Sequence, residues 1–378
     1  MKGLFWCQYI LGIGHLMRGL RLSQSLTHYF DLDFLQGGRD VNLTCDSPRF
    51  HKINLPAISN NDLLPITGVL ASKYSVPTLF QERQKVLESA LNEPYDFCFV
   101  GSFPLGKFSF AAEIVPLLER LKKNNPACVI ISSVNDFAYL EPEYTHEASR
   151  LLHTYFDYLF IHADPEYMRV EDYSIVAREA QDMSFYTGYV TAPLCQTPPE
   201  REKQILISTG GGGVCEELVR AVAEVSIYFP DYKFLFSLGP NAPLGLQKDL
   251  KMLQRMVQPS NIELTEFIAN FTNTLCQSAL AITTAGSTLA DLCLTRTPGI
   301  AYPYISAKSN EQFYRAQKFA EKGAVSLLTP ADLKPAKLAQ LMHEKMQTPY
   351  PAVSINANGA ANSTHKLIEI LHQRKRDL

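Results

Sequence analysis

Short apolar runs recur along the chain, each closed by glycine or small residues and followed by a helical pattern. Gly3-Leu-Phe-Trp-Cys-Gln-Tyr9 is the first and leads into Gly12-Ile-Gly-His-Leu-Met-Arg18. Leu16, Leu20, Leu22 and Leu26 then fall at helical spacing, predicting a helix over residues 15–29. A second apolar run at 32–35 ends in Gly37-Gly38. Further strands are predicted at 96–100, 128–132 and 158–162, with a helix at about 108–124. Strands alternating with helices imply a mostly parallel sheet with right-handed crossovers.

The pattern breaks at Thr191-Ala-Pro-Leu-Cys-Gln-Thr-Pro-Pro199, which is followed by the charged run 200–203. Proline of that density marks a linker. The same grammar then restarts. A strand is predicted at 204–208, a turn at Thr209-Gly210-Gly211-Gly212-Gly213 and a helix at 215–229. Strands at 233–238, 261–265, 279–282 and 298–302 continue the series, and a last helix is expected at about 362–374. The reading is an α/β protein of two Rossmann-like domains facing a central cleft. The first domain covers 1–195 and the second 203–357.

Composition agrees. A chain of 378 residues suits two domains of roughly 150 to 200 residues. An apolar fraction of 46% with 19% charged residues is that of a globular protein. A net charge of −3 gives no electrostatic case for nucleic-acid binding. The basic cluster Arg374-Lys375-Arg376 reads as a solvated helix end favoured by the helix dipole. The eight cysteines form no Cys-x-x-Cys pair and lie mostly in apolar segments. They read as reduced, buried thiols of a cytoplasmic protein, not as a disulfide framework or zinc site. The apolar stretch 4–16 is too short to span a bilayer, is interrupted by Gln8 and His15, and lacks a small-residue cleavage site.

Candidate chemistry sits where strands meet glycine turns. Gly12 to Arg18 reads G-x-G-H-x-x-R, with Met17 where a dinucleotide fingerprint needs its third glycine. Gly14 and His15 open a helix beside a strand end, the edge at which parallel sheets bind ligands. The turn containing Gly211 and Gly212 lacks the Gly-Lys-Ser/Thr of a P-loop but allows close backbone approach to a bulky ligand. Gly286, Ser287 and Thr288 open a helix whose amides and hydroxyls suit a diphosphate. Asp291 stands three residues after Thr288, which fits either a capping box or a carboxylate that accepts from two ribose hydroxyls. Glu311 and Gln312 start a helix after a polar loop and could fork onto vicinal sugar hydroxyls. Asp136 follows a strand in Ser132-Ser-Val-Asn-Asp136 and is a candidate carboxylate by position.

These motifs, taken in order, resemble a known family. They run from Leu264-Thr-Glu-Phe-Ile268 through 276–291, Thr297-Pro-Gly299 and Glu311-Gln312 to Ala320-Glu-Lys-Gly-Ala324. The second half resembles the nucleotide-sugar domain of inverting glycosyltransferases of the two-Rossmann (GT-B) fold. The pattern is that of family 28 and its lipid II-forming UDP-GlcNAc transferases. Gly-x-Gly-His and the glycine turn at 210–213 match in place. The resemblance implies that Phe267 and Ile268 line the base pocket, Ser287 and Thr288 hold the diphosphate, and Asp291 holds the ribose where the family usually has Glu. It implies that Glu311 and Gln312 meet the donor sugar. Arg315 stands where the family often has Asn. His15 would be the base or a diphosphate contact, and the helix in 358–378 would pack back on the first domain.

The expected activity is therefore an inverting, metal-independent transfer of a sugar from a nucleotide-diphospho-sugar, UDP-linked, to an acceptor hydroxyl. No cofactor beyond that co-substrate is expected. The one Asp-x-Asp, Asp31-Leu-Asp33, opens a strand and is not a strand-end metal motif. Alternatives of the same fold are a nucleotide-sugar hydrolase, a 2-epimerase or a non-catalytic nucleotide-sugar-binding partner. The acceptor, whether small molecule, glycan or lipid-linked glycan, carries no transferable code. The absence of a spanning segment leaves peripheral membrane contact open.

Overall fold

The computed structural model describes residues 1–378 except 11–12, 59–75, 92, 139, 193–200, 212, 240, 257–259, 307–309 and 378. The chain divides into two compact units. Unit 1 is Met1–Thr191 with Asn356–Leu378, and unit 2 is Ala192–Ile355. The proline-rich stretch predicted as linker lies at 193–200, outside the described residues.

Unit 1 is built on seven parallel strands: β1 (Lys2–Cys7), β2 (Asp31–Gln36), β3 (Phe50–Asn54), β4 (Phe97–Gly101), β5 (Val129–Asn135), β6 (Tyr158–His162) and β7 (Ser184–Tyr186). Their order across the sheet is β3-β2-β1-β4-β5-β6-β7. The central strands are covered on both faces, so they read as near-continuous apolar runs. On one face a row of rings crosses the sheet. Phe5 meets Phe34 at 5.2 Å and stacks on Phe99 at 5.6 Å, and Phe99 meets Phe160 at 5.8 Å. The helix Gly14–Leu26 packs there through Leu16, Leu20 and Leu22, together with Leu367, Ile370 and Leu371 of the C-terminal helix Gly359–Asp377. On the Trp6 side the buried Arg83 forms a bidentate pair with Glu113, which also accepts from Trp6 Nε1 at 2.8 Å.

The C-terminal helix is anchored at its end. Arg374 pairs with Asp157 and donates to the Ala127 carbonyl at 3.0 Å. The basic cluster expected to be solvated is thus divided: Lys375 and Arg376 are exposed, whereas Arg374 is half-buried and docks the helix.

Unit 2 repeats the design with six parallel strands: β8 (Glu202–Ser208), β9 (Lys233–Ser237), β10 (Ile262–Thr265), β11 (Ser278–Thr284), β12 (Gly299–Tyr302) and β13 (Val325–Leu327). The order is β10-β9-β8-β11-β12-β13. In each unit the chain winds outward from its first strand to one side, then returns to the other. The reversal falls between β1 and β4 in unit 1 and between β8 and β11 in unit 2. Such a switch point leaves a crevice beyond the carboxyl ends of the two strands. The apolar runs did not single out β3, β7 and β13, nor the helices Val76–Ala90, Thr145–Tyr155, Leu244–Met256, Phe271–Gln277 and Pro335–Gln347.

Candidate functional site

In unit 2 the candidate residues gather at the carboxyl ends of the strands. The glycine turn follows β8 and Gly286–Thr288 follow β11, so the two turns flank the switch point, where Ser208 pairs with Thr283. Gly210 and Gly213 have φ of 67° and 80°, a region that favours glycine. Gly211 is half-buried, and its carbonyl accepts from the Asn241 amide at 3.1 Å. Gly212 lies outside the described residues. In the same loop as Asn241, Leu238 and Gly239 donate to the Thr265 and Glu266 carbonyls at 2.9 and 3.0 Å. These bonds hold the turn after β10 close to the glycine turn. Phe267 there is 47% exposed, Ile268 is half-buried, and Thr265 Oγ1 donates to the Phe267 carbonyl at 3.0 Å.

The turn after β11 is open. A Cβ built on Gly286 would meet nothing within 4 Å, and Ser287 is exposed. The Gly286 amide is taken by the Thr284 carbonyl at 2.9 Å. The Leu289 and Ala290 amides turn back to the Gly286 and Ser287 carbonyls at 3.3 and 3.2 Å, so the first-turn amides that a helix start offers to a ligand here are those of Ser287 and Thr288. The helix Thr288–Thr295 has Ser287 as N-cap with no side-chain capping bond. Its third position is therefore Ala290, and Asp291 lies one residue too late for a capping box. Asp291 is buried at 4% exposure on the first turn.

The helix Glu311–Glu321 brings the sugar-side candidates to the same edge. Gln312 Oε1 accepts from the Tyr304 amide at 2.9 Å, which closes the loop after β12. Arg315 is buried at 3% exposure. Its Nη1 donates to the Ala285 carbonyl at 2.8 Å and its Nη2 to Glu311 Oε1 at 2.5 Å. Glu311 and the Gly286–Thr288 turn are thus joined through one side chain.

In unit 1 the switch point has different chemistry. Gly14 is exposed at the start of the helix Gly14–Leu26, and a Cβ there would also meet nothing. His15 Nδ1 lies 3.1 Å from Arg18 Nη2 and 3.4 Å from Ser102 Oγ, just after β4. Ser102 and Lys107 hold φ of 68° and 56°, left-handed conformations that non-glycine residues keep at a cost and that collect at functional sites. Desolvation of the ring, with the positive charges of Lys107 and Arg18, holds the His15 imidazole well below its usual range. It is therefore neutral at pH 7. A guanidinium can only donate, so Nδ1 is the acceptor and the ring proton sits on Nε2.

The polar row continues along the strand ends. The Ser102 amide donates to the Ser133 carbonyl at 2.8 Å. His162 is buried with Nε2 at 2.8 Å from Ser133 Oγ and Nδ1 at 2.8 Å from Thr187 Oγ1. Burial, then the Arg18 charge, holds His162 well below its usual range. Asp136 stands after a different strand. It follows β5, two strands from β1, and is buried at 2% exposure, accepting from Tyr189 Oη at 3.1 Å. Sequence reasoning missed Ser102, Lys107 and the linking role of Arg315. The available signal for the first two was the run Gly101-Ser-Phe-Pro-Leu-Gly106 after an apolar strand.

Two Rossmann-like units with open glycine turns at both switch points define the architecture of the GT-B class. Residues 202–371 match the glycosyltransferase family 28 C-terminal domain. One curated relative is the UDP-N-acetylglucosamine–N-acetylmuramyl-(pentapeptide) pyrophosphoryl-undecaprenol N-acetylglucosamine transferase of Carboxydothermus hydrogenoformans. It is 27% identical over 130 residues, which cover 34% of this chain and 34% of the relative. The chain thus spans about a third of the length of that relative. Among solved structures, MurG of Acinetobacter baumannii is similar with a TM-score of 0.53 at 14% identity, covering 99% of this chain and 100% of that one. UDP-GlcNAc 2-epimerase of Methanocaldococcus jannaschii is similar with a TM-score of 0.59 at 13% identity, covering 99% and 100%. At these identities the likeness is one of fold. Among the described residues no helix is long and apolar enough to cross a membrane.

Proposed function

We propose that the protein is an inverting, metal-independent glycosyltransferase that moves a sugar from a UDP-linked donor to an acceptor hydroxyl. The observation that carries this reading is the open turn Gly286–Thr288 at the β8/β11 switch point, inside the segment that matches family 28. In this reading unit 2 holds the donor. Phe267 and Ile268 border the base, Asp291 accepts from the ribose, and Glu311 and Gln312 meet the sugar. The amides and hydroxyls of Ser287 and Thr288 take the charge that grows on the diphosphate as the bond from the anomeric carbon to its oxygen breaks. Fixed donors aimed at a developing charge are a large source of rate enhancement.

The acceptor oxygen attacks that carbon from the opposite face and loses its proton to a base, for which His15 of unit 1 is the candidate. With Arg18 on Nδ1, the imidazole presents a donor at Nε2 and no free lone pair. It takes up a proton once Arg18 leaves Nδ1, and an anionic substrate group is what draws a guanidinium away. Until then His15 is suited to donate to a substrate oxygen. The name of the Carboxydothermus relative supports a lipid-linked diphosphate acceptor, which would supply such an anion.

Thermal-shift titration with UDP-sugars, followed by UDP release with and without lipid-linked acceptors, tests the proposal. A ligand that binds only the native fold raises the midpoint by mass action. Acceptor-dependent UDP release is the expected result. UDP release without acceptor would replace transfer by hydrolysis, and 2-epimer formation would assign the epimerase reaction. Binding without turnover would leave a non-catalytic partner.

A further inference from the structure

We propose that Arg315 is a positioning residue that makes the sugar contact and the diphosphate contact of unit 2 one coupled device. This deepens the donor-site reading above and rests on it. Arg315 is buried, and its two terminal nitrogens point to different parts of the site. Nη1 donates to the carbonyl of Ala285, immediately before the Gly286–Thr288 turn. Nη2 donates to Glu311 Oε1, one helical turn away on its own helix. A planar guanidinium fixes the angle between two acceptors, which an ammonium on a flexible stem does not.

Two consequences follow. The Ala285 carbonyl is held in place, so the amides that follow it keep their direction toward a phosphate. One carboxylate oxygen of Glu311 is engaged, so the group has one orientation in which to meet sugar hydroxyls. The charges of Arg315 and Glu311 also offset each other at a half-buried position, so the pair adds no net charge beside the sugar. A displacement at either end is transmitted to the other through three covalently planar atoms of the guanidinium. The residue therefore acts on sugar recognition through Glu311 without needing to touch the sugar.

The test is the ratio of dissociation constants for UDP and UDP-N-acetylglucosamine, measured by calorimetry on the full chain. The variants are Glu311→Gln, Arg315→Asn, Arg315→Lys and the double Glu311→Gln/Arg315→Asn. A charged hydrogen bond lost on one side corresponds to about a tenfold change or more. Arg315→Asn is expected to shift the ratio against the sugar nucleotide by about tenfold. Glu311→Gln should shift it similarly, and the double variant should shift it no further than the larger single. Arg315→Lys should recover part of the loss. A purely structural role would weaken both ligands equally, leave the ratio unchanged and overturn the proposal. So would a double variant whose ratio is the product of the two singles. If Arg315→Asn does not fold, Arg315→Lys and Glu311→Gln carry the same comparison. Failure of the unaltered protein to bind either nucleotide would overturn the donor-site reading itself, whereas normal binding with indifferent Arg315 variants overturns this inference alone.

Discussion

The two sheets share one winding order around their first strands, but their switch points differ. After β8 and β11 stand glycines in left-handed conformations, the exposed Ser287, the half-buried Thr288 and helix amides, with Arg315 buried on the helix that follows β12. After β1 and β4 stand an imidazole, a guanidinium and Lys107, held by residues in left-handed backbone conformations. Unit 2 therefore offers backbone and hydroxyl donors, which suit a ligand that must be held. Unit 1 offers a titratable group among cations, which suits a proton step beside an anion. The lesson is that one topology fixes where a site lies, and the side chains of two turns fix what it does.

Breaking the comparison at unit 1 should produce the largest effect. His15→Ala is expected to reduce turnover by roughly 10²- to 10⁴-fold and leave the UDP-sugar dissociation constant of unit 2 nearly unchanged. Equal turnover in a folded variant would remove His15 from the reaction. Next comes the reverse cut. Ser287→Ala with Thr288→Ala should weaken UDP-sugar binding by about 1.5 to 3 kcal/mol for each hydroxyl that meets a charged phosphate. Asp291→Ala should weaken UDP binding and spare inorganic pyrophosphate. Equal loss for both ligands would refute the ribose assignment.

The smaller effects sharpen the electrostatics. Removing the Arg18 charge in Arg18→Met should raise the His15 pKa, since a like charge that disfavours the imidazolium is gone. The acid limb of the rate against pH should move to higher pH, and an unmoved limb would mean that another group sets it. Stability has a definite sign as well. His15 and His162 are held below their ordinary value of 6.5, so the unfolded chain binds more protons in the window beneath it. The stability these two histidines contribute is full above about pH 6.5 and falls as pH drops through that window. Urea midpoints at pH 5 and 7.5 check this, and His162→Gln should flatten part of the dependence.

Much of this was legible in the chain. Central strands such as β1, β4, β8 and β11 are covered on both faces, so they appear as apolar runs ending in small residues. β3, with Phe-His-Lys-Ile-Asn, and the three-residue β7 lie at sheet edges, where half-burial dilutes the pattern. The glycine turns of the site were legible because their backbone demands are local. Arg315 was visible as a departure, but its two partners lie thirty residues back and four residues back, and that meeting is set by packing. Asp136 was likewise a candidate by its place after a strand, and its bond to Tyr189, fifty-three residues on, is set by the fold.

The way the chain crosses between the units bears on its biosynthesis. Unit 2 is one continuous segment, but unit 1 needs Asn356–Leu378. The returning segment is stitched beside the departing one, with Tyr189 bonded to Asn356 at 2.7 Å and Gly359 to Tyr189 at 3.0 Å. Ser25 Oγ then meets Thr364 Oγ1 at 2.7 Å on the helix that carries His15. A ribosome therefore delivers all of the later unit before the earlier one can close. Through that interval the aromatic row of the first sheet lacks Leu367, Ile370 and Leu371, and the nascent chain displays an apolar face of the kind that holdase chaperones cover.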